Sequence, residues 1–101
     1  MVVLDFKRAR KFTSIQAGCG KYIFRVFATE NKIDIAVFDY FSPNPLNRLL
    51  VRRVNNSLVV DIGGGMSVWF SRLAFIRCMQ GMFDDCPAED IRTIFDTVFE
   101  A

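Results

Sequence analysis

The sequence predicts an α+β fold: an antiparallel β-sheet of five or six strands followed by two C-terminal helices packed on one face. Three observations carry that expectation. Between Phe12 and Phe70 apolar residues recur mostly at every second position, in short runs parted by glycine, asparagine and proline clusters, as in strands joined by tight turns. After Ser71 the spacing changes to three and four. The last such run opens on Pro87, Glu89 and Asp90, the composition of a helix start.

Residues 6–11, Phe-Lys-Arg-Ala-Arg-Lys, carry no helical stripe and crowd Lys7, Arg8, Arg10 and Lys11 together. Such cations repel one another unless solvent or a polyanion accepts them, so the segment reads as a basic arm, spanning residues 1–11 of a single domain over 1–101, or as a strand edge. Strands over 12–16 and 21–28 then flank a turn at Ala17-Gly18-Cys19-Gly20, where glycine permits positive φ. In the second strand Tyr22, Phe24, Val26 and Ala28 share one face, and Lys21, Ile23, Arg25 and Phe27 share the other.

A turn at Glu30-Asn31-Lys32 leads to a strand over 33–41. There Ile33, Ile35 and Val37 oppose Asp34, Ala36, Phe38 and Tyr40. Ser42-Pro43-Asn44-Pro45 ends it in a loop, since proline donates no ladder hydrogen bond and biases its predecessor to extended geometry. Strands over 48–54, 58–62 and 66–70 follow, parted by Asn55-Asn56-Ser57 and Gly63-Gly64-Gly65. A meander of hairpins is the economical topology.

Leu73, Phe75, Ile76, Met79, Met82 and Phe83 mark a helix that Ser71 caps and Gly81 interrupts or ends. Ile91, Ile94, Phe95, Val98 and Phe99 mark a second, amphipathic one. The expected core is Tyr22, Phe24, Val26, Ile33, Ile35, Val37, Val60, Val68, Ile91, Phe95 and Val98.

A chain of 101 residues, 51% hydrophobic and with 11 Phe, is long enough for one core and too apolar to stay disordered. So much apolar surface on a small body suggests a patch that a second subunit covers, hence a homodimer. No apolar run approaches the ~20 residues that cross a bilayer, and Met1-Val2-Val3-Leu4-Asp5 lacks the order of a signal peptide. No membrane partner is expected, and the location expected is intracellular, cytoplasmic or nuclear/nucleoid.

Cys19, Cys78 and Cys86 are odd in number and widely spaced, and the chain holds no His. Neither a zinc site nor a closed disulfide framework fits that set. Without His the commonest general base and nucleophile pairs are missing. The expectation is a non-enzymatic protein with no catalytic residues, no metal and no cofactor. Val59-Val60-Asp61-Ile62-Gly63-Gly64-Gly65 resembles the phosphate-binding turn of actin-like and sugar-kinase ATPases. Those folds need two lobes, and Met66 stands where that turn usually has a hydroxyl, so it reads as a glycine hairpin.

Charge is sorted along the chain. Residues 1–58 hold 10 Lys/Arg against 4 Asp/Glu, and residues 59–101 hold 3 against 7. A basic β-surface bearing aromatics describes a single-stranded nucleic-acid platform: cations track phosphates and rings stack bases without reading them. The candidate phosphate-holding residues are Lys7, Arg8, Arg10, Lys11, Lys21, Arg25, Arg52 and Arg53. Phe27, Phe38 and Tyr40 offer stacking surface. Trp69, flanked in alternation by Ser67 and Ser71, reads as a lid on a packed helix or as another platform. The acidic residues Asp84, Asp85, Glu89, Asp90, Asp96 and Glu100 would keep a polyanion off the helical side.

Gly20-Lys21-Tyr22-Ile23-Phe24-Arg25-Val26, Lys32-Ile33-Asp34-Ile35, Phe38-Asp39-Tyr40-Phe41, Met66-Ser67-Val68 and Leu73-Ala74-Phe75 together resemble the positive-cofactor-four family of transcriptional coactivators. Domains of that family pair four antiparallel strands with a helix and dimerise around single-stranded DNA. The resemblance implies a similar dimer and ligand, with Lys21 and Arg25 on phosphate. An extra strand pair, the Pro43–Pro45 loop and the helix after Pro87 lie outside the pattern. The alternative reading is a small protein-interaction or inhibitory module, of viral or mobile-element type, that binds a protein partner through exposed aromatic surface.

Overall fold

The computed structural model describes residues 4–100; Met1, Val2 and Val3 of the expected basic arm lie outside them. Seven strands, β1 (Leu4–Arg8), β2 (Thr13–Cys19), β3 (Tyr22–Ala28), β4 (Lys32–Asp39), β5 (Asn47–Val54), β6 (Ser57–Gly63) and β7 (Met66–Phe70), precede α1 (Arg72–Met82) and α2 (Ala88–Glu100). They form one antiparallel sheet in sequence order. The α+β class and the meander are as the pattern predicts, but there are seven strands where five or six were expected.

The additional strand is β1, part of the expected arm. Leu4 and Phe6 sit opposite Ala17 and Ile15 on the helix side, while Asp5 and Lys7 sit opposite Gln16 and Ser14 on the other. β1 is the strand edge that the composition allowed beside the arm, and at the edge its cations stay in water. The first hairpin also turns later than expected. β2 runs through Gly18 and Cys19, and the turn falls at Gly20-Lys21, with Gly20 at φ 58°. Gly18 serves instead a close approach: a Cβ there would lie 2.9 Å from the Tyr40 hydroxyl.

Alternation divides the sheet into two faces. Ile15, Ala17, Cys19, Phe24, Val26, Ile33, Ile35, Val37, Val51, Leu58 and Val60 point toward the helices and form one buried cluster with them. From α1 come Phe75, Ile76 and Met79, and from α2 Ile91, Ile94, Phe95, Val98 and Phe99. Phe95 is fully buried, with ring centroids 5.6, 6.1 and 6.4 Å from those of Phe75, Phe99 and Phe24, spacings at which aromatic edges and faces attract. Two expected core residues differ: Tyr22 is half-buried and Val68 is exposed. Val68 lies on the outer strand, where no further strand flanks it.

Ser71 caps α1 as its position predicts, accepting from Ala74 N at 3.1 Å. The helix runs one residue past Gly81. Pro87 stands just before α2, its carbonyl accepting from Asp90 N and Ile91 N, and Glu89 and Asp90 occupy the first turn, where the helix dipole favours acids.

The connections fall at two ends. One, here the upper end, holds the β1–β2, β3–β4 and β5–β6 turns, the start of α1 and the end of α2; Arg53 Nη2 donates to Val98 O there at 3.3 Å. The lower end holds the β2–β3, β4–β5 and β6–β7 connections and the loop between the helices, where Lys21 Nζ lies 3.0 Å from Asp85 Oδ2.

Candidate nucleic-acid interface

The face away from the helices is built by the residues that alternate with the core. Register sets Gln16, Arg25, Ala36 and Arg48 side by side across four strands. The next row holds Lys7, Ser14, Phe27, Asp34 and Leu50, and a third holds Lys32, Arg52, Val59 and Trp69. A groove of about 280 Å³ runs between Arg25, Phe27, Asp34, Phe38 and Arg48.

Several of these side chains already have partners. The Arg25 guanidinium lies over the Phe38 ring, 5.0 Å from its centroid, a cation–π contact that fixes both. Phe27 stacks on Phe12 at 4.9 Å and 24°, so the β1–β2 loop covers one side of the ring. Tyr40, in the β4–β5 loop, reaches back over Gly18 on this same face. Arg48 lies 3.5 Å from Asp34.

Arg52 grips Asp61 with two nitrogens, Nε to Oδ2 at 3.1 Å and Nη2 to Oδ1 at 3.0 Å, and Ser67 Oγ donates to the same carboxylate at 2.6 Å. These donors hold the Asp61 carboxyl below its ordinary range, Arg52 foremost and then Ser67. In register, Arg52 faces Lys32 on one side, a like-charge opposition that costs stability; the turn toward Asp61 relieves it. Val59 lies between Arg52 and Trp69 and is fully buried although it faces away from the helices. Trp69 itself is 60% exposed, so it is a surface residue and not the expected lid on a packed helix.

The remaining candidates lie elsewhere. Lys7 and Arg8, like Arg52 and Arg53, are consecutive strand residues and therefore point to opposite faces. Arg8 and Arg53 turn to the helix side, where with Arg10, Lys11, Phe12, Thr13, Thr29, Glu30 and Asn31 they line a cleft of about 780 Å³ at the upper end. Lys21 belongs to the lower end, and Asp85 holds its ammonium above the usual lysine range.

The charge sorted along the sequence is therefore sorted in space along the strands. Arg8, Arg10, Lys11, Lys32, Arg53 and Arg72 lie toward the upper end with Glu30 and Glu100, while Asp39, Asp84, Asp85, Glu89 and Asp90 lie toward the lower end, where Asp85 pairs with Lys21. Burial and the neighbouring Arg72 hold the Arg53 guanidinium below its ordinary pKa. The positive field thus belongs to one end of the molecule as much as to one face.

Sequence reasoning left Lys32, Arg48 and Leu50 out of the site and gave Trp69 only as an alternative platform, although the period that places Arg25 on this face places them there too. No helix among the described residues is long and apolar enough to cross a membrane. No family model matches the chain, and neither a curated protein nor a solved structure matches it.

Proposed function

We propose that this chain is a non-enzymatic, single-stranded nucleic-acid-binding domain whose ligand lies along the face away from the helices. The observation that carries the reading is the Arg25–Phe38 contact beside the 280 Å³ groove. It holds a cation and a ring together, next to Phe27, in an accessible channel. Lys7, Arg25 and Lys32 would meet phosphates, and Phe27, Phe38, Tyr40 and Trp69 would offer flat surface to bases at roughly 1–3 kcal/mol each. The cations of the upper end would draw the strand in. The resemblance to the positive-cofactor-four coactivators implies the same class of ligand.

Fluorescence anisotropy with a short labelled oligonucleotide tests this. With about four phosphate contacts, affinity should fall roughly fifty- to a hundredfold between 50 and 200 mM salt. A curve indifferent to salt, or no binding at 50 mM, overturns the proposal.

We also propose a homodimer joined along β7. The strand Met66-Ser67-Val68-Trp69-Phe70 is an edge without charge or proline, and Ile62, Met66, Val68, Trp69 and Leu73 are exposed on and beside it. Such an edge invites another strand. A second copy fits because antiparallel self-pairing centred on Val68 opposes no like charges, whereas β1 would bring Lys7 and Arg8 to the seam.

A further inference from the structure

The cleft at the upper end is distinct from the open face. It opens on the helix side of the sheet, and two separate pieces of chain bring cations to it: residues 8–11, with Arg8 at the end of β1 and Arg10 and Lys11 in the β1–β2 loop, and β5, with Arg53. The loop is held in place. Ala9 N donates to Phe12 O at 2.8 Å, and Phe12 is stacked on Phe27. Arg53 is fixed from the other side, its backbone N–H donating to Asn31 O at 2.8 Å and its Nη2 to the end of α2.

These cations are poorly compensated. Among the described residues none of the four belongs to an ion pair, and Glu30 is the one carboxylate in the lining. Arg53 Nε is buried and has no hydrogen-bond partner among the described residues, although a buried, unpaired guanidinium N–H is costly. Four cations lining one cleft are tolerable where an anion joins them. The planar fork of an arginine suits phosphate oxygens in particular.

We infer that this cleft is a receptor for a phosphate group carrying two negative charges, borne by a nucleotide or by the end of a nucleic-acid strand. The volume of about 780 Å³ lies within the range of pockets that enclose small ligands, so a sugar or base attached to the phosphate has room. Thr13, Thr29 and Asn31 supply three polar side chains for it. A terminal phosphate differs from the internal diesters of a strand in its second charge, and four convergent cations favour that second charge where an open basic face does not.

Isothermal titration calorimetry of the full chain with inorganic pyrophosphate and with adenosine 5′-monophosphate tests the inference. Both should bind, and the double change Arg10→Ser with Lys11→Ser, confined to the exposed loop, should weaken them at least tenfold. Arg53→Gln should weaken them further; if its circular dichroism shows loss of fold, the loop variant alone decides. No binding by the unaltered chain at millimolar pyrophosphate, or binding unchanged in the loop variant, overturns the inference. So does loss of pyrophosphate binding on Arg25→Ala, which would move the anion to the open face. Oligonucleotides with and without a 5′-phosphate then separate the two sources: a preference of tenfold or more assigns the strand end, and equal affinity beside retained nucleotide binding assigns the free nucleotide. Oligonucleotide binding without pyrophosphate binding sinks the receptor and spares the open-face proposal, and the converse does the opposite.

Discussion

Arg25 and Phe38 touch across two neighbouring strands, the guanidinium of one 5.0 Å from the ring centroid of the other. They are not register partners: Arg25 pairs with Ala36 and Phe38 with Ile23. The contact is therefore diagonal, and it is possible because Ala36 leaves space that a larger residue would fill. On the proposed reading Arg25 is held ready for a phosphate by the ring, and the half-buried ring offers a base the surface that the guanidinium leaves uncovered. Phe38→Ala should then weaken oligonucleotide binding by roughly 1–3 kcal/mol and leave the salt slope nearly unchanged. Arg25→Ala should flatten that slope by roughly 0.7–0.9. Anisotropy titrations at several salt concentrations read both, and equal salt slopes for all three proteins would remove Arg25 from the site.

Asp61 competes with any ligand for Arg52. Asp61→Asn keeps the shape of the side chain and frees the guanidinium, so binding should tighten by roughly three- to tenfold and the salt slope should steepen by the amount of one more phosphate contact. A gain of affinity is a demanding outcome, because a variant that merely perturbs the sheet would lose it.

The same carboxylate makes stability depend on acid. Its pKa is lowered in the folded chain from an ordinary value of 3.8 by the donors Arg52 and Ser67. A depressed folded pKa means that the unfolded chain takes up the proton first as the pH drops. The contribution is thus complete well above 3.8 and disappears as the pH falls through the lower, folded value. Melting curves of the unaltered chain and Asp61→Asn should differ at pH 7 and converge toward pH 2. A gap that persists at pH 2 would show that something besides ionisation separates the two proteins.

Two glycines near one turn should respond unequally to alanine. At Gly18 the added methyl meets the far end of the Tyr40 side chain at 2.9 Å, an obstacle that rotates away; the cost should stay below about 1 kcal/mol, and Tyr40→Phe should remove most of it. At Gly20 the backbone is left-handed, with φ 58°, and the Asp85 carbonyl stands 3.3 Å from the new methyl. That conformation alone costs roughly 1–2 kcal/mol for an L-residue, a fall in melting temperature of about 5–10 °C for a domain of this size. Equal melting temperatures for Gly18→Ala and Gly20→Ala would contradict the assigned turn.

Most of the sheet and both helices are legible in the sequence because one side is buried and one is not: Phe24, Val26, Ile33, Ile35 and Val37 announce their face by alternation. Started at Phe6, where charge dominates, the sequence leaves arm and strand edge undecided for β1; begun at Leu4, the run Leu-Asp-Phe-Lys alternates cleanly. Gly18 misleads because glycine signals a turn more often than a neighbour's close approach, and Tyr40 arrives over it from a distant loop. The site is legible in part. The period places Arg25, Phe27 and Phe38 on one face and also splits Lys7 from Arg8 and Arg52 from Arg53, a division that treating the cations as one group conceals. The pairing of Arg52 with Asp61 and the convergence of Arg8, Arg10, Lys11 and Arg53 on one cleft depend on which turns share an end of the sheet. No local pattern states that.

The proposed homodimer makes a sharp demand on one side chain. Antiparallel pairing of β7 with its copy, centred on Val68, sets each Val68 beside the other and brings each Trp69 next to the partner's Ser67, so the open face continues across the seam. Val68 is 36% exposed, and a lysine there can reach solvent in a monomer. In the dimer two ammonium groups would be forced together. Val68→Lys should therefore convert a dimer to a monomer in size-exclusion chromatography with light scattering while shifting the melting temperature of a dilute sample by only a few degrees. An unaltered chain that stays monomeric at the highest concentration reachable would leave β7 as an ordinary edge.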